Sequence, residues 1–269
     1  MATVQPLVSG RIYQMTFTIK RYVSGSVYYP FSGFGGVAAP SAVGTYTINH
    51  VARTNDLYLY SLSFNGDIDD VIVREIPGIH ASQATTANKP ILRQSGGKYS
   101  WQFDGSNDSL SLSAPLFQMS DDHAVIAGAN CTSAVSDQII FGQRNTGTGI
   151  PICPSFGWTS GKPTAVWRDD AGTVIQITSA VAVTNTETVI SASKVGNVKV
   201  LRVNAIQKAT DATALGVTTL NSSSIGVTPA PVPNGYFTGS IYPIIVIKGT
   251  LSDSDLLVLE RFVGQLSGV

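Results

Sequence analysis

Apolar and polar residues alternate along much of this chain with a period of two. Ile12-Tyr13-Gln14-Met15-Thr16-Phe17-Thr18-Ile19 shows the pattern first, and the stretches 43–51 and 56–63 repeat it. Such alternation predicts half-buried β-strands, with Ser24-Gly25-Ser26 and Phe34-Gly35-Gly36 as turns between them. Beyond residue 98, short strand-like runs recur at 99–103, 124–129, 138–142, 164–168, 173–178, 188–192 and 198–203, at the spacing of a β-sandwich. One helix is predicted, at the end. Ser252 supplies a hydroxyl N-cap, Asp255 an acidic N3 residue, and Leu256, Leu259, Val263 and Leu266 fall on one face, so the helix should cover the sandwich as a latch.

One pattern occurs twice. Phe64-x-Gly66-x-Ile68-x-x-Val71-Ile72-Val73 returns as Phe237-x-Gly239-x-Ile241-x-x-Ile244-Ile245-Val246, each time as the last strong strand of a β-rich stretch. The glycine lets the chain bend into a strand, and the β-branched run after it reads as buried on both faces. The fold class expected is all-β, with two β-sandwich (jelly-roll) modules in series and one short C-terminal helix. The first module covers 1–78, ending where Pro77-Gly78 stops the last strand. Residues 79–97 read as a linker and 98–269 as the second sandwich. Asp69-Asp70 and Tyr242-Pro243 fill the variable slots differently, so the repeat is architectural and not a shared active site.

Composition narrows the function. With 17 acidic and 17 basic side chains scattered along 269 residues, the net charge is zero, and nothing marks a nucleic-acid partner. No apolar run approaches the roughly 20 residues of a membrane span, so membrane insertion is not expected. The start, Met1-Ala2-Thr3-Val4-Gln5-Pro6, lacks the regions of a secretion signal, which points to synthesis in a cytoplasm. Cys131 and Cys153 read as buried free thiols, and His50, His80 and His123 lack ligand spacing for a transition metal.

The segment Gly97-Lys98-Tyr99-Ser100-Trp101-Gln102-Phe103-Asp104-Gly105-Ser106-Asn107-Asp108, together with Gly235-Tyr236-Phe237-Thr238-Gly239-Ser240-Ile241-Tyr242 and the capped helix, resembles the concanavalin A-like, laminin-G-like jelly rolls of bacteriophage tail-fibre and virion surface proteins. The resemblance covers about residues 80–269. Residues 7–13 and 66–75 likewise resemble the closing half of a carbohydrate-binding-type sandwich that precedes such jelly rolls. The resemblance implies a surface appendage of the virion, a tail-fibre or receptor-binding component made in the host bacterial cytoplasm. Its implied partners are other virion proteins, further copies of the chain as a trimer, and a host surface glycan. A capsid decoration or head-fibre protein and a glycan-degrading depolymerase are the alternative readings. In the family resembled, several strands precede the segment matching 7–19, so the first module reads as incomplete, with a smaller, self-sufficient version of the sandwich as the alternative. Ile12, Met15, Phe17 and Ile19 are then expected to form an uncovered apolar face that a homo-oligomer or a virion partner would bury.

Candidate chemistry is sparse. Jelly-roll glycanases place paired carboxylates on one strand, but the only glutamates are Glu75, Glu187 and Glu260, in separate segments, and no nucleophile elbow or zinc-protease motif occurs. A non-enzymatic binding protein is expected. Its ligand contacts are sought in the aromatic loop carrying Tyr28, Tyr29, Phe31 and Phe34, and at Trp158 in a Gly/Pro-flanked segment, because exposed ring faces stack on sugars, with a subunit or inter-module contact as the equal alternative for these aromatics. Trp101 and Phe103 read as core. Asp67, Asp69 and Asp70 offer oxygen ligands for calcium, as do Asp104 and Asp108, with turn chemistry as the alternative.

Overall fold

The computed structural model describes residues 7, 12–29, 37–38, 41–51, 60–75, 81–134, 137–146, 155–229 and 233–269. The chain divides into two compact units, Met1–His80 and Ala81–Val269. Phe31, Phe34, His80 and Cys153 lie outside the described residues.

The described part of the first unit is one antiparallel sheet built on a long strand. Strand β1 (Ile12–Tyr29) pairs along one side with β2 (Val37–Ala38) and β3 (Gly44–Val51), and along the other with β4 (Tyr60–Glu75). Ser24-Gly25-Ser26, expected as a turn, lies inside β1 as a bulged stretch paired to β4. Tyr13, Met15, Phe17 and Ile19 are successive side chains on one face and pack with Tyr46, Ile48, Ile68 and Val73. Met15 and Phe17 are both 0% exposed within the single chain. That face is therefore covered, contrary to expectation. The side chain of Ile12, expected on the same face, lies outside what is described.

The second unit is a two-sheet sandwich with a helix on its outside. Its strands are β5 (Ala81–Ser82), β6 (Ile91–Ser95), β7 (Lys98–Asp104), β8 (Leu110–Leu112), β9 (His123–Cys131), β10 (Asp137–Arg144), β11 (Ser155–Thr159), β12 (Lys162–Arg168), β13 (Val174–Thr178), β14 (Thr188–Val195), β15 (Val198–Val203), β16 (Ile206–Asp211), β17 (Ser222–Ile225) and β18 (Thr238–Lys248). One sheet runs β13-β12-β11-β10-β17-β8-β5 and the other β16-β15-β14-β9-β18-β7-β6, every pairing antiparallel. Residues expected as a linker thus supply an edge strand to each sheet, β5 to one and β6 to the other. The core between the sheets gathers Phe103, Ile140, Trp158, Trp167, Ile190, Leu201 and Phe237.

Helix α1 (Asp253–Ser267) starts where Ser252 Oγ accepts the Asp255 amide and ends at Gly268, whose φ of 94° is left-handed. It packs on the outer face of β9 and β14, where Leu256 and Val263 meet Ala124, Ile126 and Val189. Strand β9 is thereby buried on both faces. The buried helix face runs through Leu256, Glu260, Val263, Gly264 and Ser267, and Leu266, expected inside, is exposed. At Gly128 on β9, an added Cβ would lie 1.8 Å from Ser267 Oγ, so the close approach of the helix end requires glycine there.

Both copies of the repeated pattern carry a bulge. On β4, Asp70 and Val71 together oppose Phe17, and on β18, Tyr242 and Pro243 oppose Gly128. The shared glycines serve close backbone approach: a Cβ at Gly66 would stand 2.3 Å from Arg21 O, and one at Gly239 2.0 Å from Asn130 O. The run after Gly66 is not buried on both faces, however, since Val71 and Ile72 are each 45% exposed.

Candidate functional site

Two exposed aromatic rings on the strands of the sandwich lie where one sheet falls short of the other. Strands β5 and β8 have 2 and 3 residues, whereas β6 and β7 opposite them have 5 and 7. Tyr99, Trp101 and Phe103 share the inward face of β7, but only Phe103 is roofed by the facing sheet. Phe103 meets Phe237 edge-on at 6.1 Å. Trp101, with Leu92 beside it on β6 and Ile241 on β18, is 41% exposed, and Tyr99 is 58% exposed. Between the sheets, Leu92, Tyr99 and Trp101 open into a cleft of about 320 Å³ completed by Leu110, Ile225 and the bulge at Tyr242–Pro243. The Tyr242 side chain itself turns to the outer face of its sheet, beside Gly128 and Asn130, where its hydroxyl donates to Glu187 Oε1 at 3.4 Å and Asn130 Nδ2 donates to the same oxygen at 3.3 Å. Burial, and then the negative charge of Glu187, push the Tyr242 hydroxyl above its ordinary pKa.

The residues singled out from sequence do not converge on this cleft. Trp158 is 1% exposed, because its segment is strand β11 and turns the indole into the core; its Nε1 donates to Val183 O at 2.9 Å. It offers no ring face to a ligand. Tyr28 and Tyr29 pair with Ala38 and Val37 at the end of β1, Tyr28 being half-buried. Sequence reasoning missed Trp101, since the spacing of Tyr99, Trp101 and Phe103 places all three inward. The signal available was the brevity of Leu110-Ser111-Leu112 between Asp108 and Pro115, too short a strand to roof three aromatic positions.

The carboxylates proposed for calcium are held otherwise. Arg21 Nε donates to Asp67 Oδ2 at 2.8 Å and Lys20 Nζ to Asp69 Oδ2 at 2.5 Å, with Asp70 Oδ2 3.7 Å from Lys20. These hydrogen bonds from Arg21 and Lys20 hold the Asp67 and Asp69 carboxyls below the usual range. Cross-strand cations thus engage Asp67 through both its oxygens and Asp69 through one. Asp104 Oδ1 accepts the Ser106 amide at 2.8 Å, and Asp108 Oδ2 accepts the Asp104 amide at 3.0 Å, which is turn chemistry. Among the described residues, no group of three histidine, cysteine or acidic side chains is placed to hold a metal.

His123 and Cys131 are structural. His123 stacks on Phe117 with ring centroids 3.9 Å apart, its Nδ1 lies 2.8 Å from Asp121 O, and its Nε2 accepts Trp167 Nε1–H at 3.0 Å. Burial pushes its pKa down to about 4. The Cys131 thiol donates to Ser133 O at 3.2 Å, and burial pushes its pKa up.

No protein-family model matches the sequence, and no curated protein matches it. Solved structures do resemble the fold. The binding domain of Paraclostridial Mosquitocidal Protein 1 is similar with a TM-score of 0.56 and 9% identity, over 71% of this chain and 49% of that one. Domain 4 of AbnA, a GH43 extracellular arabinanase from Geobacillus stearothermophilus, solved with arabinotriose, has a TM-score of 0.52 and 16% identity over 64% of this chain and 81% of that one. The botulinum neurotoxin serotype D ligand binding domain in complex with N-acetylneuraminic acid has a TM-score of 0.53 and 11% identity over 71% of this chain and 48% of that one. The chain spans about half the length of the toxin domains it matches. At these identities the likeness shows the fold, a two-sheet antiparallel sandwich shared with binding domains.

Proposed function

We propose that this chain is a non-catalytic glycan-binding protein of a bacteriophage virion surface, a tail-fibre or receptor-binding component that uses the Trp101 cleft. The observation that carries the binding reading is the pair Tyr99 and Trp101, exposed side by side over an apolar cleft, where ring faces can stack on sugar C–H groups. The similar domains include one solved with arabinotriose and one with N-acetylneuraminic acid, which supports a sugar as the ligand class. The virion assignment rests on the jelly-roll resemblance of the sequence.

The disposition of the glutamates supports a binding role without catalysis. Among the described residues no carboxylate lines the cleft, Glu187 is engaged by Tyr242 and Asn130, and Glu260, on the buried face of α1, is paired with Arg202. Hydrolysis by paired carboxylates needs an acid and a base facing one bond. A cleft this small gives weak single-site binding, so useful avidity requires repeated copies, in keeping with a homo-oligomer on a particle.

The test is a glycan array probed with the multimerised full chain, beside the Trp101→Ala variant. Binding lost in the variant is expected; binding that the variant retains, or release of reducing ends from a host polysaccharide, would overturn the reading. Electron microscopy of labelled particles checks the location, and absence of label from the virion surface removes the virion assignment. Light scattering checks for copies of the chain, and a monomer at micromolar concentration removes the homo-oligomer.

A further inference from the structure

The glycan-binding reading leaves open which sugars fit, and the cleft itself narrows the choice. Among the described residues none that lines it is charged, and Arg93, on the edge strand β6, lies on the opposite face, where its Nε donates to Gln102 Oε1 at 3.0 Å. A carboxylate or sulfate buried here would lose its hydration and gain no cation. The ligand that fits is uncharged.

The floor narrows it further. Beneath Trp101 the cleft ends on Phe103, Leu110, Ile225 and Ile241, which have no polar side-chain atoms. A sugar hydroxyl driven onto that floor would be left without a partner, which disfavours it there. A methyl group there gains instead, since burial of apolar surface is favourable. The neutral donors, the Trp101 indole N–H and the Tyr99 hydroxyl, belong to the exposed side chains. The volume of about 320 Å³ lies at the small end of ligand clefts and suits a short terminal segment.

We propose that the Trp101 cleft takes an uncharged glycan whose terminal sugar carries a methyl group, as an N-acetylated or a 6-deoxy sugar does. The C–H face of the ring lies on Trp101, and the methyl group points to the Phe103 floor. This inference rests on the glycan-binding reading and deepens it.

The experiment compares matched sugars against the immobilised full chain: N-acetylglucosamine with glucose, 6-deoxygalactose with galactose, and sialyllactose with lactose. The expected result is binding at least about tenfold tighter for a methyl-bearing member than for its hydroxyl counterpart, the lower end of what one methyl group contributes in an apolar pocket. Sialyllactose should gain nothing over lactose. Trp101→Ala and, as a milder change at an exposed ring, Tyr99→Ala should each weaken binding, with thermal unfolding confirming that both variants fold. Trp101-dependent binding that favours the acidic or the fully hydroxylated sugar would overturn this inference and leave the glycan-binding reading standing. Sugar binding indifferent to both variants would overturn the site, and this inference with it.

Discussion

Arg202 Nε lies 3.0 Å from Glu260 Oε1 beneath the C-terminal helix, and both side chains are almost wholly out of water. Ser191, the cross-strand neighbour of Arg202, donates its hydroxyl to the same carboxylate oxygen at 2.5 Å, and Arg202 Nη2 donates to Ala205 O at 2.8 Å. The latch predicted from apolar spacing is thus pinned by an ion pair that spacing does not show. Removing one partner strands the other charge, so Glu260→Ala should lower stability by about 3 kcal/mol or more. Glu260 Oε2 has no hydrogen-bond partner among the described residues, so the pair is incompletely compensated. The triple replacement Glu260→Leu, Arg202→Met and Ser191→Ala should therefore recover most of that loss, as read by urea unfolding.

His123 should make the fold acid-sensitive above the carboxylate range. Its folded pKa of about 4 lies below the ordinary imidazole value of 6.5. Between those values the unfolded chain binds a proton that the folded chain does not, so stability falls as pH drops from 6.5 toward 4. The full loss is about 3 kcal/mol, at about 1.4 kcal/mol per pKa unit. Lys194, Asp121 and Asp122 surround the ring, and hydrogen bonds from the Gln118 amide to Asp121 and from Thr250 to Asp122 lead in holding those two carboxyls below their usual range. Their contribution is accordingly lost at lower pH than that of His123. Denaturation midpoints at pH 7, 5.5 and 4.5 check this, and a flat profile across that window would contradict the burial of a neutral imidazole.

Trp158 and Trp101 should separate stability from binding. Truncating Trp158, which packs 5.9 Å from Phe237 in the core, should cost about 3–5 kcal/mol. Trp101→Ala, at a side chain 41% exposed, should cost far less stability while removing the ring face from the cleft. Thermal melts of the two variants, run beside the glycan measurements, distinguish these roles.

Gly128→Ala should loosen the helix. The new methyl would meet Ser267 Oγ at 1.8 Å and Tyr242 Cβ at 3.2 Å, so the end of α1 must lift from β9. Faster amide exchange in the last helical turn is expected. Adding Ser267→Gly removes the nearer clash and should restore much of the protection, whereas no rescue would locate the strain at Tyr242.

Local pattern was enough to read many of the strands and the terminal helix, because a period of two and a capped 3.6-residue period are properties of consecutive residues, though not β5, β6 or the run of β1 through Ser24–Ser26. Lys98–Asp104 and Val198–Val203 fall where the sequence places them, and Ser252 caps the helix as its hydroxyl predicts. Which rings reach solvent is a different kind of question. Tyr99, Trp101 and Phe103 are equivalent in parity, and Trp158 has the same pattern on another strand, yet a short facing strand leaves Trp101 open while Trp158 is enclosed. The same holds for Asp67 and Asp69, free acids in the linear chain but committed to Arg21 and Lys20 across a strand pair. The chain alone therefore settles the alternation that makes a β-sandwich, whereas the cleft, its charge and its floor arise only when strands distant in sequence are brought face to face, since exposure depends on what lies opposite and not on what lies adjacent.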